Sequence, residues 1–125
     1  MVFFRNSKPF VEYYVQKNYD ELTQFAVEAL EDPYDLKART YNGWIVSCIP
    51  STSVVEFTVR GFGIGPSTEY EGFYYSPDDV PLGFQGTDVE LTEVDDRWQW
   101  AEEYGDNWGY TEKIVEHWYW FEAHF

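Results

Sequence analysis

Apolar positions near the amino terminus recur with the spacing of an α-helix. After a polar start they form one stripe at i, i+3, i+4, i+7 and i+8, which consists of Leu22, Phe25, Ala26, Ala29 and Leu30. Residues 8–17 show a weaker version of this pattern, and Ser7 and Pro9 suit a helix start. The pattern predicts helical structure over residues 8–31, either as one kinked helix or as two helices that meet near Asn18.

Helical periodicity ends at Asp32-Pro33, because the residue before a proline is disfavoured from the α region. Beyond it, apolar and polar residues alternate in short runs, as expected of half-buried strands. The predicted strands lie at residues 43–49, 54–62, 73–76, 88–94 and 97–103, and residues 69–71, which lead into the third, alternate as well. Segments rich in proline, glycine, serine or asparagine separate several of them and predict turns or loops at residues 50–53, 77–87 and 105–107.

The last segment, residues 110–125, fits two patterns. As a helix it would present an apolar stripe, and as a strand it would place Trp118, Trp120, Glu122 and His124 on one face. Its aromatic density favours a strand at the end, preceded by a short helical turn at residues 111–116. Helices followed by strands predict an α+β fold, with N-terminal helices packed on a mainly antiparallel sheet in one domain over residues 1–125.

The charge is distributed unevenly along this pattern. Residues 1–66 hold eight acids against six bases, whereas residues 67–125 hold fifteen acids against two bases, so most of the net charge of −15 belongs to the second segment. The same segment holds five of the six tryptophans. Such a charge argues against nucleic acid as a direct ligand and against anionic membranes, since both need clustered Lys and Arg. It favours the capture of a basic protein.

The chain shows no clear signature of catalysis, metal binding or a cofactor. His117 and His124 are seven residues apart, which does not fit the helical spacing of a zinc site. Asp78-Asp79 lacks the pattern of a calcium loop, and the glycines of residues 61–65 lack the lysine of a phosphate loop. We therefore predict no catalytic residues, no metal and no cofactor. Cys48 is the only cysteine, lies in an apolar run, and fits a small buried residue.

Compartment is indicated only indirectly. One cysteine allows no internal disulfide, which fits a reducing compartment. The first ten residues lack the basic and apolar regions of a secretory signal, and no run of 18 apolar residues occurs. We therefore expect a cytoplasmic protein.

Acidic residues and surface aromatics of the second half are the candidate partner-binding residues. For steering and ion pairs we predict Asp78, Asp79, Asp88, Glu90, Asp95, Asp96, Glu102, Glu103 and Asp106. As aromatic anchors we predict Trp108 and Tyr110. Trp108 lies between Asn107 and Gly109 in a turn and is the best candidate for an exposed aromatic ring. Further surface candidates are Tyr74, Tyr75, Tyr104 and Tyr110.

Two stretches carry a resemblance to a known class of proteins. They are residues 75–86, YSPDDVPLGFQG, and residues 110–125, YTEKIVEHWYWFEAHF. With the small size and acidity, they make the chain resemble small immunity proteins of bacterial polymorphic-toxin systems, such as contact-dependent growth inhibition. The resemblance implies a cytoplasmic, non-enzymatic protein that binds one cognate basic toxin domain, often a nuclease, and neutralises it. It assigns no role to any single residue.

Two alternatives of other classes stay open. An acidic protein can mimic nucleic acid and inhibit DNA- or RNA-binding proteins, in which case it binds several unrelated basic proteins. A small domain rich in aromatic residues and carboxylates can also bind or hydrolyse carbohydrate, which requires an open aromatic groove flanked by carboxylates.

Overall fold

The computed structural model describes residues 7–34, 39–62, 68–87 and 89–125. Within these residues two helices precede eight strands, which confirms the α+β prediction. The helices are α1 (Ser7–Lys17) and α2 (Tyr19–Glu31). The strands are β1 (Thr40–Tyr41), β2 (Trp44–Ile49), β3 (Val54–Phe62), β4 (Glu69–Tyr75), β5 (Thr92–Val94), β6 (Arg97–Ala101), β7 (Trp108–Val115) and β8 (Trp118–His124).

The helical segment divides at Asn18, as one of the two predicted alternatives has it. The Asn18 side chain donates a hydrogen bond to the backbone carbonyl of Tyr14 at 2.9 Å, and its own carbonyl accepts from the N–H of Leu22. Asp20 and Glu21 lie in the first turn of α2, where negative charge suits the helix dipole. The helix ends at Glu31, before Asp32-Pro33, as predicted. No helix among the described residues has the length and apolar composition needed to cross a membrane.

All strands pair antiparallel in one sheet, in the order β1-β2-β3-β4-β8-β7-β6-β5. The last strand therefore lies in the middle of the sheet, between β4 and β7. The connection from β4 to β5 runs from the middle of the sheet to its far edge and includes a 3-10 turn at Phe84–Gly86. This order brings the two most acidic hairpins, β5–β6 and β6–β7, to one side of the fold.

Several predicted helix and strand boundaries differ from those in the structure. The helical turn expected at residues 111–116 is wrong, because this segment belongs to β7 and pairs with β6 on one side and β8 on the other. A strand at the end of the chain is confirmed by β8. The strand expected at residues 88–94 is limited to Thr92–Val94, and Asp88 lies outside the described residues.

Both faces of the sheet are covered, each by a different part of the chain. The helices cover what we call the helix-side face, whose buried residues include Phe57, Phe73, Trp118 and Trp120. The β4–β5 connection covers the loop-side face, whose buried residues are Val54, Tyr74, Tyr119 and Phe121. Residues 118–121 are apolar without interruption because alternate side chains enter the two separate cores. Each of these large side chains contributes about 1.5–3 kcal/mol by burial.

This double coverage corrects three predicted surface aromatics. Tyr74 and Tyr75 are 2% and 8% exposed, and Tyr110 is 7% exposed. The Tyr74 hydroxyl lies 2.7 Å from the Thr111 hydroxyl and accepts the N–H of Leu82, so it ties the β4–β5 connection to the sheet. Tyr104, at 89% exposed, and Trp108, at 46%, are at the surface as predicted.

Candidate functional site

The strands of the acidic half, β5 to β8, have two opposite ends, which the strand register defines. Trp108, at the start of β7, pairs with Ala101 of β6 and with His124 of β8. At the other end of β7, Val115 pairs with Trp118, next to the turn that contains His117. The two ends, called here the Trp108 end and the His117 end, are about 23 Å apart, because each of seven residue steps rises about 3.3 Å.

The predicted acidic residues divide between these ends. Those at the Trp108 end are Glu90, Glu102, Glu103 and Asp106, all exposed. Those at the His117 end are Asp78, Asp79, Asp95 and Asp96. The cause is topological: the β6–β7 turn adjoins Trp108, whereas the β5–β6 turn lies at the opposite end of β6. One continuous acidic surface is therefore not formed by the whole predicted set.

Asp79 is engaged within the protein. Its carboxylate accepts hydrogen bonds from the Lys113 ammonium group at 2.8 Å, from the backbone N–H of His117 at 2.9 Å and from the Tyr119 hydroxyl at 3.0 Å. Burial alone would raise the pKa of Asp79, but these three donors outweigh burial and lower the pKa below its ordinary value. Asp79 therefore holds the β4–β5 connection against the β7–β8 hairpin.

Trp108 has one occupied face and one open face. Its indole stacks on the His124 ring with the centroids 4.1 Å apart and the planes 10° from parallel. Since His124 belongs to β8, the other indole face is directed toward β6. Trp108 keeps 46% of its surface exposed although it stacks on this neighbour. A rigid aromatic ring is thus presented at the surface in a defined orientation.

Two grooves meet at Trp108. The outer groove, on the β5–β6 side, has a volume of about 440 Å³ and is lined by Glu90, Thr92, Val94, Gln99, Trp100, Ala101, Trp108 and Gly109. The inner groove, on the β8 side, has a volume of about 660 Å³ and is lined by Thr68, Glu69, Asp106, Asn107, Trp108, His124 and Phe125. Each groove therefore combines the Trp108 ring with at least one carboxylate.

The two basic residues of the acidic half are both engaged by side chains of the protein itself. The Arg97 guanidinium lies 3.9 Å from the centre of the Tyr110 ring and 3.7 Å from the Glu112 carboxylate. Lys113 pairs with Asp79 at the His117 end. In the described part of the chain, no ion pair involves Glu90, Glu102, Glu103 or Asp106. The carboxylates around Trp108 are consequently not neutralised by these bases.

A row of polar residues crosses the helix-side face beside Trp108. His124 Nδ1 is 3.2 Å from Glu69, and His124 Nε2 is 3.6 Å from Glu122. The other oxygen of Glu122 accepts the Tyr110 hydroxyl at 2.5 Å. Burial raises the pKa of the neighbouring Glu71 carboxyl, and the negative charge of Glu122 raises it further. This row holds His124 in place beneath the Trp108 ring.

Sequence reasoning did not select Glu69, Glu122 or His124 for this site. The alternation of β8 already placed Glu122 and His124 on one face, and Glu69 alternates with Tyr70 in β4. The missing information was the pairing of β4 with β8, which sets Glu69 opposite His124. In the opposite sense, Tyr110 was selected as an anchor, but its burial leaves little surface for a partner.

The arrangement combines an exposed aromatic ring with carboxylates, which is binding chemistry. Among the described residues, no three His, Cys, Asp or Glu side chains form a group able to hold a metal ion. Burial raises the pKa of the Cys48 thiol, although Arg39 opposes the shift, so the thiol form is favoured. Comparison of the chain with protein-family models, with curated proteins and with solved structures finds no match.

Proposed function

We propose that this protein is an immunity-type inhibitor that binds and neutralises a basic toxin domain, and that the Trp108 end is its binding surface. One observation carries the proposal. The two strongly exposed aromatic rings of the acidic half, Tyr104 and Trp108, lie at the same end of the sheet as Glu90, Glu102, Glu103 and Asp106.

These two kinds of side chain have complementary roles in a tight complex. Surface carboxylates that form no ion pair within the protein attract a cationic protein and can raise its association rate to about 10⁸ M⁻¹s⁻¹ at low salt. Exposed Trp and Tyr bury a large area with few rotatable bonds, which slows dissociation. A toxin that acts on nucleic acid must present cationic groups to phosphates, so a basic nuclease is the partner class that best fits this surface.

Rescue from toxicity tests the proposal. The partner to be tried is a basic C-terminal toxin domain, sought first in any large secreted protein that is encoded beside the gene for this chain. We expect co-expression with the wild-type protein to restore growth of bacteria that produce this domain. Growth arrest that persists although both proteins are made would contradict the proposal.

Matched charge reversals test the position of the surface. Glu90→Lys with Asp106→Lys changes two exposed carboxylates at the Trp108 end, and Asp78→Lys with Asp96→Lys changes two at the His117 end. Both pairs alter the net charge equally. We expect the first pair to slow association with the toxin domain about tenfold or more at low salt and the second pair to change it far less. Equal effects would show a response to overall charge and overturn the assignment of this end.

Binding experiments distinguish the two alternative functions, nucleic-acid mimicry and carbohydrate binding, from an immunity function. A nucleic-acid mimic would bind several unrelated nucleases and DNA-binding proteins, whereas an immunity protein binds one cognate domain. The inner groove, which Trp108 lines together with Glu69 and Asp106, is the observation that favours carbohydrate binding as a second candidate. Binding of oligosaccharides that is lost in Trp108→Ala, without any rescue from a toxin, would support that candidate instead.

A further inference from the structure

The outer groove combines apolar walls, neutral polar side chains and a single carboxylate. Val94 and Ala101 line it as apolar residues, Thr92 and Gln99 as neutral polar residues, and the Trp108 ring forms part of its wall. Among the described residues that line it, Glu90 is the only carboxylate and there is no cation. A ligand that fits these walls has an apolar stem and one flat, positively charged group.

We infer that the outer groove binds a single arginine side chain of the partner. The guanidinium stacks on the open face of Trp108, the Glu90 carboxylate accepts its N–H groups, and the aliphatic stem lies over Ala101, the residue of β6 that pairs with Trp108. This inference rests on the proposed function, because it names the chemical group through which a basic partner is held.

The orientation of Trp108 supports this occupant. Its β8-facing side is covered by His124 at 4.1 Å, so the side directed toward β6 and the outer groove is the one left for a ligand. A planar guanidinium stacks on an aromatic face and forms paired hydrogen bonds with a carboxylate. Lysine carries a compact, strongly hydrated charge that stacks less well. A neutral sugar gains nothing from the surrounding negative potential.

The protein contains the same arrangement one residue row away. The Arg97 guanidinium lies 3.9 Å from the centre of the Tyr110 ring, with the Glu112 carboxylate 3.7 Å away. Arg97 and Tyr110 lie on the same strands that frame the outer groove, β6 and β7. In the groove, Trp108 and Glu90 supply the aromatic ring and the carboxylate, and the partner's arginine supplies the guanidinium.

The probe for this site is N-acetyl-arginine amide, compared with N-acetyl-lysine amide and with N-acetyl-citrulline amide, the uncharged analogue of arginine. Binding is followed by the NMR signals of the Trp108 indole N–H and the Gln99 side-chain amide. We expect saturable shifts of both signals with arginine, weaker shifts with lysine and none with citrulline. Equal responses to arginine and citrulline, or no saturable response, would overturn the inference.

Two variants that each remove one exposed carboxylate give the matched control. We expect Glu90→Gln to weaken arginine binding about fivefold and Asp96→Asn, at the His117 end, to leave it unchanged. Equal weakening would assign the effect to general charge and reject the groove. Shifts of the same signals by a panel of oligosaccharides, without a response to arginine, would assign the groove to carbohydrate.

Different experimental results would reject the arginine groove and the proposed immunity function. Arginine binding without rescue from a toxin would reject the immunity role and keep the groove. Rescue that survives Glu90→Gln and Trp108→Ala, together with a failed arginine titration, would reject the groove and keep the immunity role.

Discussion

The carboxylate of Glu56 accepts a hydrogen bond from the backbone N–H of Gln85 at 3.0 Å, beneath the β4–β5 connection. Glu56 is only 3% exposed, and Gln85 adopts a left-handed backbone conformation with φ of 55°. Burial raises the pKa of Glu56 to about 7, although the Gln85 hydrogen bond opposes the shift. A buried carboxyl thus lies between the central sheet and the segment that covers it, and its ionisation opposes folding.

The stability of the protein should depend on pH through Glu56. The pKa of Glu56 is higher in the folded state than in the unfolded state. Its contribution to the free energy of unfolding is therefore fully present below pH 4.5 and is lost as the pH rises through about 7. A difference of this size corresponds to a loss of about 3 kcal/mol in the free energy of unfolding. We expect urea unfolding at pH 4.5 to 8 to show the loss in the wild type but not in Glu56→Gln.

Glu93→Gln is the control for this measurement. Glu93 is an exposed residue of β5, so the variant makes the same covalent change without removing a buried carboxyl. It should retain the wild-type decline, and its retention separates Glu56 from the general repulsion among acidic groups. A decline that is unchanged in Glu56→Gln would contradict the prediction.

Replacing Asp79 by asparagine should destabilise the protein by about 2 kcal/mol at pH 7. The change removes the charge that attracts Lys113 and weakens the acceptor for Tyr119, while asparagine tolerates the φ of 54° at this position. The pKa of Asp79 is lower in the folded state than in the unfolded state. The contribution of Asp79 to the free energy of unfolding is therefore present above its pKa in the unfolded state and disappears as the pH falls through its pKa in the folded state. The wild type and Asp79→Asn should therefore converge in stability in strong acid.

Asp78→Asn is the matched control for Asp79→Asn, because Asp78 is the exposed neighbouring residue. Chemical denaturation at pH 7 should show a change near zero for it. Comparable losses in the two variants would mean that the bonds of Asp79 are not the cause.

Gly72 should not tolerate alanine. A Cβ at this position would overlap the carbonyl oxygen of Phe57 and lie 2.7 Å from the ring of Phe121. Because Gly72 belongs to a central strand, neither neighbour can move away easily, and we expect a loss of about 3 kcal/mol. At Gly105 a Cβ meets only the flexible side chain of exposed Glu102, so Gly105→Ala should have little effect. Thermal unfolding of Gly72→Ala, Gly105→Ala and the wild type measures both changes.

Substitutions of two tryptophans should distinguish a residue needed for folding from one needed for binding. Trp118 is 0% exposed, and Trp118→Ala should cost about 4 kcal/mol of stability. Trp108→Ala removes one surface ring stacked on His124 and should cost only about 1 kcal/mol. Circular dichroism melting checks both values. A folded Trp108→Ala protein that binds its partner as tightly as the wild type would argue against Trp108 as an anchor.

The local elements of the fold were predictable because their signals are local. The stripe of α2, the break at Asn18 and the stop at Asp32-Pro33 depend on nearby residues and were confirmed. Alternation also predicted β3, and the position of Trp108 at a predicted turn indicated its exposure. The ambiguity of residues 110–125 was not resolvable in this way, because the segment becomes two strands, β7 and β8, through pairing with each other and with β6 and β4.

The candidate site depended on contacts between residues far apart in the chain. Composition alone showed that the second half is acidic and aromatic, and so favoured a basic partner. Only the placement of β8 between β4 and β7 set Glu69 beside His124 and His124 beneath Trp108. Strand register likewise separated Asp95 from Asp106 by the length of β6. Charge is a property of each residue, whereas a binding surface is a set of distances, and those distances arise only when the strands pair.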